Sequence, residues 1–282
     1  MQDENHCFVT VDAESDVILE GVRVISAVRD EVQTKLNIKV PITWFVRFQR
    51  TWTEYIHNDC PRYFQDGVKK GFDGFELAKH FLRELRAKGD EVGWHYHAYN
   101  YVHRADLTHA LRLEILRADL LSCGRELRAR HPDFDIRTFR FGWFFVPDYK
   151  IFSTLEEIGI RADASVNPAR TGTVLNFQVK YLPPITRSIK NIDGIDVFPC
   201  SNTLLIHDWN VVPHQFDWAS SDHAAAAHNR DDFKNTLLAT AMALDGRKGE
   251  FLTYSNFSTP GTSPIQSSEV ACSIAGLHSE EW

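Results

Sequence analysis

The chain has 282 residues, 43% hydrophobic and 24% charged, with 31 basic against 38 acidic side chains and a net charge of −7. That length allows one full core without forcing two domains, and the acidic balance offers no basic surface to a nucleic acid. No run of about eighteen apolar residues occurs, and the opening "MQDENHCFVTVD" lacks a basic stretch followed by an apolar one, so the expectation is a single cytoplasmic domain over 1–282 with no membrane partner.

The stretch "HCFVTVD" sets Phe8, Thr10 and Asp12 against Cys7, Val9 and Val11, the alternation of a strand, and Asp12 closes it. Ser15 or Asp16 is placed to cap a helix in which Val22, Ile25, Val32 and Leu36 make one apolar face, before Pro41 opens the strand "ITWFVR". A second helix groups Ala78, Leu82 and Leu85 and stops at Gly89, ahead of a strand from Glu91 to His95.

Farther on, Leu113, Leu116, Leu120, Cys123 and Leu127 recur at steps of three and four, which predicts a helix from Thr108 to Arg130. The strand "RTFRFG" then brings Arg140. A helix from Tyr149 to Ile158, stopped by Gly159, leads to "IRADAS", with Asp163 expected at a strand end, and "IDVFPC" and "TLLIH" follow, the latter ending on His207. Residues 258–282 read as a loop and a short helix. His223 and His228 draw no site role.

Alternating strands and helices without a long linker predict an α/β fold with a parallel sheet, closed or doubly wound. In barrels of this kind chemistry gathers at the C-terminal strand ends, where Asp12, Glu14, His95, His97, Arg140, Asp163 and His207 fall in this reading. The five cysteines, Cys7, Cys60, Cys123, Cys200 and Cys272, are scattered and never spaced C-x-x-C, which speaks against a disulfide framework or a thiolate zinc site.

Taken in order, "VTVDAES", "DEVGWHYHAYNY", "FRFGWFFVPDYKIFSTLEEIGIRADASVNP" and "NTLLIHD" resemble the signatures of the polysaccharide deacetylase, or NodB-homology, family (carbohydrate esterase family four). Its members are metal-dependent amide hydrolases on a distorted, incomplete (β/α)7-type barrel. The resemblance implies Asp12 as general base and Glu14 as a metal ligand. His95 matches the first histidine ligand; the usual spacing puts the second at Tyr99, so the role passes to His97, with His103 an alternative. It also implies Arg140 near the base, Trp143 in a lid, Asp163 in support and His207 as general acid. A competing alignment sets "GEFLTYSNFSTPGTSPI" at the closing strand, with Asn256 where relatives carry a histidine. Trp94, Tyr99, Trp143 and Asn256 would face substrate.

Two imidazoles and a carboxylate suit a divalent ion, zinc above all. The implied reaction is hydrolysis of an N-acyl group on a small sugar-like or aminocyclitol-type molecule, with a zinc-bound water as nucleophile and a proton delivered to the leaving amine. A metal-light hydrolase of cyclic imides or ureides, and a sugar-binding protein without turnover, are the rival readings. A homo-oligomer stays open. Each residue also has an ordinary reading: alternate histidines line one face of any strand, acids cap helices, Arg140 and Asp163 could be a structural ion pair, and the tryptophans and tyrosines could be core.

Overall fold

The computed structural model describes residues 6–15, 17–49, 72–98, 101, 106–144, 146–166, 172–174, 177–179, 190–199, 203–216, 219–246 and 249–257. In chain order the elements begin with β1 (His6–Ala13), α1 (Ile18–Leu36), β2 (Ile42–Gln49), β3 (Phe72–Asp73), α2 (Gly74–Leu77), α3 (Lys79–Ala87) and β4 (Glu91–Tyr96). Next come α4 (His109–Arg130), β5 (Thr138–Phe141), α5 (Ile151–Glu157), β6 (Ala162–Val166), β7 (Gly172–Val174), β8 (Phe177–Val179), β9 (Lys190–Ile192) and β10 (Ile195–Pro199). The last are β11 (Thr203–His207), β12 (His214–Phe216), β13 (Ala219–Ser221), α6 (His223–Asp245) and β14 (Glu250–Leu252).

The chain divides into two compact units, one from the residues up to 95 together with 202–257, the other from residues 96–201. In the first, the strands run in the order β11, β1, β2, β4, all parallel, with β14 also along β1 and the short β3 antiparallel to β2. In the second, β5, β6 and β10 are parallel and β9 closes the row antiparallel. The protein is therefore mixed α/β with mostly parallel strands in an open arrangement, which fits an incomplete barrel. No helix among the described residues is long and apolar enough to cross a membrane.

β1 and β2 are built from Val, Ile, Phe and Thr and are buried along nearly their whole length. The alternation read in "HCFVTVD" thus does not mark a wet face; parallel strands with cover on both sides bury both sets of side chains. α1 buries Val22, Ile25 and Val32, as the spacing predicts, and rests on α6. α4 buries Leu113, Leu116, Leu120, Cys123 and Leu127 and is capped by the Thr108 hydroxyl, which accepts from the Leu111 N–H.

Three local expectations are corrected. Ser15 does not cap α1: the N-cap position falls on Val17 without a side-chain bond, and the Ser15 hydroxyl is spent on Asp208. The helix read across Ala78 is broken there into α2 and α3. Asp163 is the second residue of β6 rather than its last, so it lies near that strand's N-terminal end. The expected tail, 258–282, lies outside the described residues.

Candidate metal centre

Asp12 is the penultimate residue of β1, and in register it stands opposite His207, the last residue of β11, and Phe45 of β2. Two residues beyond Phe45 is Arg47, which stands opposite His95 of β4. Cross-strand partners, and residues two apart on a strand, share a sheet face. Asp12, His207, Arg47 and His95 are therefore gathered on one face by β-geometry alone, three of them at or next to a C-terminal strand end.

Glu14 joins them from just past β1. Its Oε2 lies 3.2 Å from His95 Nε2 and 4.0 Å from Arg47 Nη1, and the Arg47 guanidinium also donates to the Glu14 carbonyl at 3.4 Å. His207 Nε2 stands 3.8 Å from both Asp12 Oδ2 and Glu14 Oε1. That is beyond hydrogen-bond reach. The strand residues are buried, Asp12 at 3% exposed, Arg47 at 1% and His95 at 1%, whereas the His207 side chain is 29% exposed.

Two residues past His95, His97 is buried too, and each of Glu14, His95 and His97 offers a ligand atom within 4.8 Å of the others. One carboxylate and two imidazoles at that spacing could hold a metal ion. His97 owes its place to Gly142. A Cβ on Gly142 would come 2.4 Å from the imidazole Nδ1 and Cε1, so any larger residue would push the ring away.

The His207 end of the site is braced from outside. The His207 N–H donates to Asn210 Oδ1 at 2.9 Å, and Asn229 of α6 donates to the Asn210 carbonyl at 2.9 Å. Trp209 lies tilted by 34° against the His207 ring, with centroids 4.9 Å apart.

Arg140 and Asp163 both lie fully buried in the second unit. Arg140 donates from Nε to the Ala164 carbonyl at 3.0 Å, and Asp163 accepts from the Ser165 N–H at 3.0 Å and its hydroxyl at 2.6 Å. Burial pushes the Asp163 carboxyl up to about 7, against the pull of Ser165 and of the Arg140 charge.

Among the expected substrate contacts, Trp94 is corrected. It alternates with His95 onto the opposite face of β4, is 1% exposed, and its indole N–H donates to the Phe48 carbonyl at 3.0 Å, which makes it a core residue. Trp44 and Tyr96 are likewise buried and hydrogen-bonded, to Asp90 and Asp119. Asn256 is exposed in a turn after β14. Trp143 belongs to a short 3-10 turn after β5, while Tyr99 and His103 lie outside the described residues.

Sequence reasoning passed over two residues of this site. Arg47 is signalled only by a lone arginine inside the apolar run "ITWFVRF". Asp208 begins the turn after His207, is fully buried, and accepts from the Ser15 N–H and hydroxyl at 3.1 and 2.5 Å. Burial pushes its carboxyl up to about 6. Compared with known protein families and with curated proteins, the chain matches none.

Proposed function

We propose that the protein is a metal-dependent hydrolase of the deacetylase type, built on a distorted, incomplete (β/α)7-type barrel, that removes an N-acyl group from a small sugar-like or aminocyclitol-type molecule. The observation that carries this reading is the grouping of Glu14, His95 and His97 within ligand distance of one ion, with Asp12 and His207 beside Glu14. The order of these residues along the chain, and their resemblance to the deacetylase signatures, supports the choice of reaction.

Glu14, His95 and His97 would hold the ion. Bound there, zinc supplies Lewis acidity toward an acyl carbonyl and makes water easier to deprotonate near neutral pH. The remaining work falls to the chain's own groups. Asp12, buried and acceptor-only when ionised, takes the proton of the attacking water as its oxygen bonds to the acyl carbon. The C–N bond then breaks, and His207, protonated on Nε2, gives the amine its proton. Arg47 offsets the negative charge of Glu14 and steadies its carbonyl, and Arg140 and Asp163 serve as buried support.

The test is acetate release from N-acetylated amino sugars and aminocyclitols by the zinc-loaded protein, compared with Asp12→Asn. Loss of a base of this kind lowers turnover by about 10²- to 10⁴-fold. Asp12→Asn should show that loss while retaining its zinc, whereas His95→Ala should lose both. Full turnover in either variant would exclude the mechanism.

A further inference from the structure

We infer that Asp208 is a positioning residue for this site: it grips the Glu14–Ser15 segment from below and thereby sets Glu14 toward His95. The inference rests on the reading of Glu14 as a ligand. The last ladder pair between β1 and β2 is Ala13 with Val46, so Glu14 lies just beyond the strand and is not fixed by that ladder. Its place depends on neighbouring side chains. From one side Arg47 donates to its carbonyl at 3.4 Å; from the other, the Asp208 Oδ2 accepts from Ser15 at both N and Oγ.

Asp208 is itself immobilised. A Cβ on Gly21 of α1 would stand 2.3 Å from the Asp208 carbonyl oxygen, so the helix backbone lies directly against the start of this turn. Ser15 and Asp208 are both 0% exposed, so the contact is shielded from bulk solvent. The result is a rigid path from α1 through Asp208 and Ser15 to Glu14. Outer groups that orient a ligand in this way commonly change metal affinity by about 10- to 100-fold when removed.

Cobalt(II) titration of the full chain reads this without turnover, because both its affinity and its visible absorption report the ligand geometry. Asp208→Leu should bind cobalt about 10- to 100-fold more weakly and with altered absorption. Asp208→Asn still accepts from the Ser15 N–H and should stay within about threefold of the unaltered protein. If Asp208→Leu does not fold, Ser15→Ala reads the same contact, with an expected loss of about three- to tenfold for one hydrogen bond. A folded Asp208→Leu that is less stable in urea yet binds cobalt with unchanged affinity and absorption would overturn the inference, as would an unaffected Ser15→Ala. Absence of cobalt binding in the unaltered protein would instead sink the metal reading, and this inference with it.

Discussion

Asp163 has a consequence that pH exposes. Its carboxyl is raised to about 7 by complete burial, so the folded chain holds that proton through a range in which the unfolded chain, near 3.8, has already lost it. Below that range both states are protonated and the folded form bears no charge cost. As pH rises from about 4 through 7, the unfolded state is favoured and the contribution to stability falls. Urea denaturation across pH 4 to 8 should therefore show the unaltered protein losing ground, by a few kcal/mol, relative to Asp163→Asn, whose amide can still accept from Ser165. A difference that stays flat with pH would contradict the assigned environment. Legibility at this scale was uneven for a physical reason. Asp12, Glu14, His95 and His207 stand at or just past strand ends, where chain order and period expose them. Arg47 and Asp208 act through contacts with Glu14 and Ser15 that are remote in sequence, and a lone arginine in an apolar strand or an acid after a histidine does not announce such contacts. Trp94 misled because an aromatic beside a site residue suggests a cleft, whereas alternation turns it to the other face.

Among the elements, α1 and β2 are joined at the end away from the candidate site by Asp90. Its carboxylate accepts from Arg29 of α1 at 2.7 Å, from the N–H of Ile42 at the start of β2 at 3.1 Å, and from the Trp44 indole at 2.9 Å. The Arg29 and Asp90 side chains are 2% and 0% exposed, so the pair is dry. Removing Asp90 leaves the buried Arg29 with only the half-exposed Asp30, 2.6 Å from its Nε, as an ionic partner, and Asp90→Ala should cost about 3 kcal/mol in urea denaturation. A loss below about 1 kcal/mol would mean that water or Asp30 compensates Arg29 fully. The elements themselves were largely legible. α1 and α4 follow their apolar periods closely, and Gly89 and Gly159, both at positive φ, do end helices. What escaped were breaks and swaps that depend on tertiary contacts: the division at Ala78, and Ser15 turned from helix cap to partner of Asp208.

At the scale of the molecule, parallel strand order does what the sequence pattern anticipated: β11, β1, β2 and β4 lie side by side, so that residues far apart in sequence, 12, 47, 95 and 207, come to one face. The strands of the set lie far apart in sequence, which is why the gathering is visible in topology and not in any single motif. The division into two units was not visible at all, because it follows contact density rather than a linker of distinctive composition. On the proposed reading, Glu14, His95 and His97 hold a metal ion beside that face. The most direct test of that reading is elemental analysis of protein purified without chelators, joined to an anomalous-difference map collected at the edge of the metal found. The expected result is one transition-metal ion per chain, about 2.0 to 2.2 Å from a Glu14 oxygen and from a ring nitrogen of each of His95 and His97. A metal-free protein, or an ion bound away from these three residues, would contradict it.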